Sequence, residues 1–250
     1  MDIIQTFYDS MAASYDKLFE DWHATTRAQA RILDEIFRAN GFDSTASILD
    51  CACGIGTQAI GLGALGYRVT GSDISQAELA EARLRADREG RQIPFVRADF
   101  RALEDSFSEK FDILLAMDNA LPHMLSHSDL EKAIRSILGQ TRDGGIFVAS
   151  IRDYDTLLES KPPYSPPYIH HTPQGRRVSF QTWDWEGDCY RLTQYIIEDG
   201  DALQISKFPC QYRATRRSEL TELLAAGCRQ VRWLMPEESG FYQPIVVARK

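Results

Sequence analysis

The chain has 250 residues, of which 44% are hydrophobic, 10% aromatic and 26% charged, a composition that excludes a collagen, a coiled coil and a disordered tail protein. Lys and Arg total 28 against 36 Asp and Glu, and the net charge of −8 argues against binding to nucleic acid or anionic membranes, because phosphate contacts need a basic face. No segment approaches the roughly 20 apolar residues of a membrane span. The N-terminal sequence is acidic and lacks an apolar signal core, so we expect a cytoplasmic protein.

The first 150 residues alternate between helical and strand patterns. Helical spacing covers the N-terminal 40 residues in two pieces, the second at 24–40 with Gly41 as its stop. Strands and helices that alternate in this way are typical of a parallel sheet with helices on both faces. The predicted strands are 47–50, 67–73, 95–99, 111–117 and 146–151, and the predicted helices between them are 57–65, 76–89 and 130–141.

The C-terminal part has a different pattern. Residues 161–173 are rich in proline and are predicted to form an irregular connector. Three later segments, 177–185, 190–198 and 203–212, alternate apolar and polar side chains, which is typical of an antiparallel meander. A helix at 215–226 and strands at 231–235 and 244–248 follow. We therefore predict an α/β fold, a doubly wound and mostly parallel seven-stranded sheet, with 1–152 and 213–250 as the core and 153–212 as an inserted antiparallel cap.

A glycine loop follows the first predicted strand. Gly54-Ile-Gly56-Thr-Gln-Ala59 opens a helix, and Asp73 follows Gly54 by 19 positions, a spacing that alone is typical of a dinucleotide site. Asp50 argues against that interpretation, because its carboxylate at the mouth of the glycine turn would repel a pyrophosphate but attract an ammonium and a sulfonium. A dehydrogenase that uses NAD and a non-catalytic cofactor-binding module remain as alternatives.

Taken together, five motifs resemble those of class I S-adenosylmethionine-dependent methyltransferases. They are 48–57 (ILDCACGIGT), Asp73, 98–100 (ADF), 111–112 (FD) and 143–145 (DGG). The resemblance implies S-adenosyl-L-methionine as the cofactor, with its amino-acid end in the loop 50–56, its ribose at Asp73 and its adenine at Asp99 and Phe100. The cofactor-binding residues that it implies are Tyr15, Arg27, Asp50, Cys51, Ala52, Gly54, Gly56, Asp73, Ile74, Asp99, Phe100, Met117 and His123.

Two further segments, 117–124 (MDNALPHM) and 151–155 (IRDYD), resemble those of glycine N-methyltransferase and its relatives. The resemblance implies that Asn119 and Arg152 touch an amino-acid acceptor and that His123 lies near the cofactor, and we expect these three to be catalytic. Asn119 would accept a hydrogen bond from the amine through its side-chain carbonyl, and Arg152 would bind a carboxylate through two parallel hydrogen bonds. Asp118 departs from the family, which has a glycine at this position.

Simpler interpretations of the same residues remain open. Arg152 would then pair with Asp153 or Asp155 on the surface, and His123 would be a packed, hydrogen-bonded histidine. Cys51 and Cys53 have no second Cys or His pair at a useful spacing, so we expect no metal site.

The resemblance implies methyl transfer to a small molecule. We expect N-methylation of an amine or an amino acid such as glycine or sarcosine. A sulfonium methyl is already electrophilic, so the protein is expected to supply orientation and a dry site rather than a strong base. The sequence predicts no nucleic-acid or membrane partner and leaves a homo-oligomer open.

Overall fold

The computed structural model describes residues 3–173 and 175–250. In chain order, its α-helices are α1 (Ile3–Met11), α2 (Trp22–Ala39), α3 (Thr57–Ala64), α4 (Gln76–Arg88), α5 (His127–Gln140), α6 (Tyr154–Ser160), α7 (Arg217–Ala225) and α8 (Pro236–Ser239). The strands are β1 (Ser47–Asp50), β2 (Arg68–Asp73), β3 (Phe95–Arg97), β4 (Phe111–Ala116), β5 (Thr141–Ser150), β6 (Tyr168–Thr172), β7 (Gly175–Glu186), β8 (Cys189–Asp199), β9 (Leu203–Arg213), β10 (Gln230–Leu234) and β11 (Ile245–Arg249).

The larger sheet has seven strands in the order β10-β11-β5-β4-β1-β2-β3 within the described ranges. The strands β3, β2, β1, β4 and β5 are parallel to their neighbours, whereas β11 runs antiparallel to both β5 and β10. A second, four-stranded sheet of β6, β7, β8 and β9 is antiparallel. This architecture confirms the predicted fold class. The division into a core and an inserted cap remains a prediction.

Alternate side chains of the central strands enter two separate apolar cores. In β4, Ile113 and Leu115 pack with residues of α2, α3 and α4, whereas Leu114 and Ala116 pack with residues of α5, α7 and the antiparallel sheet. A strand that is buried on both faces needs apolar residues at every position. This is why the central strands read as continuous apolar runs in the sequence.

The structure corrects three of the sequence predictions. The proline-rich segment 161–173 is not wholly irregular, because Tyr168–Thr172 forms β6 and pairs in register with β7; its prolines lie outside the strand. Residues 154–160, placed in the antiparallel insertion, form α6. Helix α2 begins at Trp22 rather than at residue 24, because the Asp21 side chain accepts a hydrogen bond of 2.9 Å from the Ala24 amide and caps the helix. No helix in the described ranges is both long and apolar enough to cross a membrane.

Gly61 allows α2 and α3 to approach closely. A Cβ at this position would lie 2.7 Å from the Thr26 carbonyl oxygen and 2.8 Å from the Ala30 Cβ. We expect Gly61→Ala to lower the free energy of unfolding by about 1–3 kcal/mol, because separating the helices outweighs the gain in helix propensity. Urea unfolding measures the change. The control is Gly139→Ala in α5, where no described atom lies within 4 Å of an added Cβ; it should raise the stability by up to about 1 kcal/mol. Equal stabilisation of both variants would contradict the argument.

Candidate active site

Three aspartates lie at the carboxyl ends of three neighbouring strands. Asp73 ends β2, Asp50 ends β1, and Asp118 follows β4 by two residues. Because these strands are adjacent in the order β2-β1-β4, and neighbouring strands lie about 4.8 Å apart, the three carboxyl groups form a row along one edge of the sheet. Burial raises the pKa of all three.

Asp50 is the most isolated member of this row. Its side chain is fully buried, and neither carboxyl oxygen accepts a hydrogen bond from the described residues. Burial, followed by the charges of Asp118 and Asp73, raises its pKa to about 8; the amides of Ala52 and Ala59 oppose that rise without reaching hydrogen-bond geometry. A buried carboxylate without a partner is costly. Its raised pKa keeps the group protonated at neutral pH, and a positively charged group nearby would favour its ionised form.

The glycine loop is held to Asp73. The Asp73 carboxylate accepts hydrogen bonds of 2.9 Å from the amides of Gly54 and Ser75. Gly56 has a φ of +91°, and a Cβ there would lie 2.9 Å from the Ile60 Cδ1 atom. The loop therefore needs glycine for its backbone conformation as well as for packing. The two hydrogen bonds from Gly54 and Ser75 leave Asp73 able to accept more, since a carboxylate has about four lone-pair sites.

A concave cavity lies beside these strand ends, as small-molecule sites usually do in folds of this kind. Asp50 and Gly56 are not part of its lining. Asp50 is fully buried next to the lining residue Cys51, so its predicted contact with the cofactor would be an electrostatic one through the cavity wall. The predicted cofactor-binding residues that line the cavity are Tyr15, Cys51, Ala52, Gly54, Asp73, Ile74, Asp99, Phe100, Met117 and His123.

Arg27 does not reach this cavity. It is exposed on α2, and helical periodicity turns Thr26 and Gln29 inward in its place. Gln29 contacts the lining residue Gln58, which donates to it over 2.6 Å. The position of Arg27 therefore does not support its expected role in binding the cofactor carboxylate.

Asp99 lies in the cavity wall and is already paired. Its carboxylate accepts hydrogen bonds from the Arg101 guanidinium at 2.8 and 3.0 Å and from the Arg101 amide at 2.8 Å. Burial acts to raise the pKa of Asp99, but these hydrogen bonds hold it below its ordinary value. Asp99 is thus an anion, with its charge balanced by Arg101.

The N-terminal segment covers the cavity, and sequence reasoning identified only part of it. Ile4 and Tyr8 line the cavity together with Tyr15. The Tyr8 hydroxyl lies 2.7 Å from the His123 Nε2 atom, and Asp9 accepts a hydrogen bond of 2.6 Å from the Ser75 hydroxyl. Tyr8-Asp9 and Tyr15-Asp16 resemble the N-terminal helix that covers the cofactor in many such enzymes, whereas Ile4 was missed; its position four residues before Tyr8, on the same helix face, is the signal that could have identified it.

His123 combines the two roles that the sequence left open. It is 3% exposed and lines the cavity. Its ring packs 4.2 Å from the ring of Tyr212, and its Nδ1 atom lies 3.7 Å from the Cys210 sulfur. It is therefore a packed, hydrogen-bonded histidine that also forms part of the cavity wall.

Arg152 lies in a cluster of aromatic side chains from the antiparallel sheet, which we call the aromatic pocket. Its guanidinium donates hydrogen bonds to the Tyr190 hydroxyl at 3.2 Å and to the Gln181 side-chain oxygen at 2.9 Å. It also stacks at 5.1 Å from the Trp183 ring and at 5.6 Å from the Tyr212 ring. No carboxylate in the described ranges lies within salt-bridge distance of this guanidinium.

The predicted surface ion pairs of Arg152 do not form. Asp153 and Asp155 both pair with Arg217, the latter at 3.2 Å. The three residues lie on the outer side of the motif, so Arg152 is left with neutral partners. The simpler interpretation of Arg152 as a surface ion pair is therefore wrong.

The Asn119 amide faces in the direction opposite to the predicted one. Its side-chain oxygen already accepts hydrogen bonds of 3.1 Å from the Arg152 amide and from the Tyr154 hydroxyl. A backbone N–H can only donate, so the oxygen must point to Arg152. The Nδ2 atom is buried and has no hydrogen-bond partner among the described residues. Asn119 thus offers a donor to the pocket, and the expectation of a free carbonyl acceptor is wrong.

The sequence of this chain is similar to those of known methyltransferases. Residues 48–145 match the family model described as a methyltransferase domain. The chain is 25% identical to a glycine/sarcosine N-methyltransferase of Parasynechococcus marenigrum, over 85% of this chain and 73% of that protein. It is also 25% identical to one of Aphanothece halophytica, over 82% and 70%. The chain is an S-adenosylmethionine-dependent methyltransferase.

The fold of this methyltransferase is also that of a solved relative. The S-adenosylmethionine-bound structure of an amino pentose methyltransferase from Micromonospora echinaspora has a TM-score of 0.75 at 17% identity, with 95% of this chain and 94% of that one covered. The likeness extends over both sheets, since it covers nearly the whole chain.

The residues of the methyltransferase fit S-adenosyl-L-methionine. Asp50 is a buried carboxylate without a described partner, which suits a cofactor that carries an ammonium and a sulfonium. Asp73 retains acceptor sites for hydroxyl groups. When bound, the cofactor supplies an electrophilic methyl group. The dehydrogenase and the non-catalytic module are therefore set aside. The described ranges contain no cluster of three His, Cys, Asp or Glu side chains that could hold a metal.

Proposed function

We propose that this methyltransferase N-methylates a small amino acid of the glycine or sarcosine class, whose carboxylate binds Arg152. The observation that carries the proposal is the charge of that pocket. A guanidinium stays protonated in proteins, and Arg152 is surrounded by neutral side chains. A buried cation without a counter-ion is costly. A carboxylate on the acceptor would supply the missing charge.

The hydrogen-bond donors of the pocket support a carboxylate. A guanidinium has five N–H donors, and Tyr190 and Gln181 accept from two of its nitrogens. Asn119 contributes the further N–H donors of its unpartnered Nδ2 atom. The two residues are joined by the hydrogen bond from the Arg152 amide to the Asn119 side-chain oxygen. N–H donors bind a carboxylate, which accepts hydrogen bonds, and do not bind an ammonium, which only donates them.

Tyr212 and His123 connect the pocket with the cofactor cavity. The Arg152 guanidinium lies over the Tyr212 ring, and that ring also contacts His123, which lines the cavity. An acceptor held at Arg152 would therefore have its amine directed along this wall. Since both ring nitrogens of His123 have partners, we assign His123 to orienting Tyr8 and Tyr212 rather than to acting as a strong base.

The names of the relatives also support this acceptor class. Two of them are glycine/sarcosine N-methyltransferases, which act on amines that carry a carboxylate. The amino pentose methyltransferase represents the other class, an amine on a sugar. The charge of the Arg152 pocket favours the first class.

Glycine and glycinamide provide the direct test. They differ in the charge of one group and hardly in shape, so the loss of the Arg152 contact is isolated. We expect kcat/KM to be about 100-fold or more higher for glycine or sarcosine than for glycinamide, because a desolvated charge contact is lost. The formation of S-adenosylhomocysteine gives the rate, and mass spectrometry counts the methyl groups transferred. Equal rates for glycine and glycinamide, or turnover of amino sugars alone, would contradict the proposal.

A further inference from the structure

The row of aspartates has an unexplained third member. Asp73 and Asp50 have roles in the site described above, at the ends of β2 and β1. Asp118 lies at the next strand along, β4, and lines the same cavity. If Asp73 holds the ribose of the cofactor, the residues at the ends of β1 and β4 would be the ones that hold its amino-acid tail.

The contacts of Asp118 leave its charge without a counter-ion. Its carboxylate accepts hydrogen bonds of 2.9 Å from the Gln58 side chain and 2.8 Å from the Tyr242 hydroxyl. Both donors are neutral, and no basic side chain of the described ranges pairs with it. The charge of Asp118 acts on Asp50, whose oxygens also have no described partner. Of two neighbouring carboxyl groups of this kind, one keeps its proton in the absence of a cation, and a positive group nearby would favour the ionised form of both.

The backbone separates Asp118 from the Arg152 pocket. Asp118 and Asn119 have φ angles of +54° and +70°, a left-handed conformation that Asp and Asn tolerate better than most residues. The turn directs Asp118 towards Gln58 at the start of α3, and it directs Asn119 towards Arg152 and Tyr154. Asp118 therefore serves the cofactor cavity rather than the aromatic pocket.

We propose that Asp118 binds the α-ammonium group at the amino-acid end of the cofactor and so contributes to the recognition of that tail. The carboxylate lines the cavity, is aimed by two neutral donors and stands at the strand beyond Asp50. Carboxylate and ammonium form a charge-assisted hydrogen bond, roughly twice as strong as a neutral one. The Tyr242 and Gln58 hydrogen bonds hold the carboxylate in place for this contact.

Asp118 also marks a difference from the family that the sequence resembles, which has glycine at this position. The positive φ at Asp118 is one that glycine adopts readily, so the turn itself does not require aspartate. The side chain, and not the backbone, is then the reason for an acid here. This inference depends on the cofactor and not on the identity of the acceptor.

A pair of ligands tests the contact without any turnover. S-adenosylhomocysteine carries the ammonium tail and lacks the sulfonium, whereas 5′-methylthioadenosine lacks the whole tail. We expect Asp118→Asn to weaken the binding of S-adenosylhomocysteine by about ten- to a hundredfold and to leave the affinity for 5′-methylthioadenosine within about twofold. Titration calorimetry with the full chain measures both dissociation constants.

Two further variants distinguish the loss of a ligand contact from a defect in folding. Asp118→Gly suits the left-handed backbone, so it should fold and show the same selective loss. Asp143→Asn, whose side chain is 92% exposed, is the matched control and should change neither affinity. Equal weakening of both ligands would indicate a structural role and would overturn the proposal. Unchanged affinity for both ligands would overturn it as well, whether or not the KM of the acceptor rises.

Discussion

Arg152→Gln is expected to reduce kcat/KM for glycine or sarcosine by about 100- to 1000-fold, since removing one partner of a buried charge pair costs about 2–5 kcal/mol. Glutamine keeps a hydrogen-bond donor for Gln181 or Tyr190 but removes the charge. Arg152→Lys keeps the charge but loses the planar fork, so it should recover only part of the rate. Steady-state kinetics with saturating cofactor separate the effect on KM from that on kcat.

The stability of the same variant separates binding from structure. Arg152 is a partly buried cation with neutral partners, so its removal should leave the free energy of unfolding within about 1 kcal/mol. Arg135→Gln, in an exposed ion pair with Glu131, is the control and should alter neither rate nor stability. A large loss of stability in Arg152→Gln, or an equal loss of activity with glycinamide, would contradict the assignment of Arg152 to the acceptor carboxylate.

Asp50→Asn is expected to weaken the binding of S-adenosylhomocysteine by about tenfold or more at pH 8, because a buried carboxylate next to the cavity wall, whose charge attracts a cationic tail, is replaced by a neutral group. In the cofactor-free protein the pKa of Asp50 is about 8, and a cation beside it favours the ionised form. Binding therefore releases a proton. The affinity should rise as the pH increases from 6 to 8 and level off above that range.

Calorimetry in two buffers with different ionisation enthalpies measures this proton release. The wild-type protein should release protons near pH 7, and Asp50→Asn should release markedly fewer. Asp143→Asn again provides an exposed control. An affinity that is independent of pH between 6 and 8 in the wild type, or a variant with an unchanged dissociation constant, would contradict the role of Asp50.

The stability of the cofactor-free protein should change with pH in the direction opposite to the binding affinity. A carboxyl group whose pKa is raised on folding holds more protons in the folded state than in the unfolded state. The stability is therefore lost as the pH rises from the ordinary value of 3.8 through about 8. Asp50→Asn removes this loss and should raise the thermal midpoint of the free protein at pH 8, even though it weakens cofactor binding. The opposed effects identify Asp50 as a residue kept for binding rather than for folding.

The sequence predicted the central strands and the cofactor loop well, because both depend on local chemistry. The apolar runs at β1 and β4 were located to within a residue, because a strand buried on both faces needs a nearly continuous run of apolar residues. The aspartates at the strand ends and the glycines of the loop are neighbours in sequence or follow adjacent strands. Their meeting at one edge follows from the parallel topology.

Predictions that depended on distant partners failed or were incomplete. Arg27 was assigned to the cavity, but the rotation of α2 about its axis turns it outward. The Asn119 amide was assigned the wrong direction, because its orientation is decided by the Arg152 amide and the Tyr154 hydroxyl. Tyr8 contacts His123 across 115 positions of the chain. No local pattern carries such information.

The amino-acid sequence by itself determined the sheet, the glycine loop and the acidic strand ends, because short-range sterics and apolar periodicity specify them. Only the tertiary structure decided which charges lack a counter-ion. The sequence singled out Asp50 and Arg152, but it did not show whether either has a counter-ion, and it left Asp153 open as a partner for the arginine. Long-range packing paired Asp153 with Arg217 and surrounded Arg152 with aromatic rings from β7, β8 and β9. The free energy of a buried charge depends on all the groups around it, and those groups come together only when the chain folds.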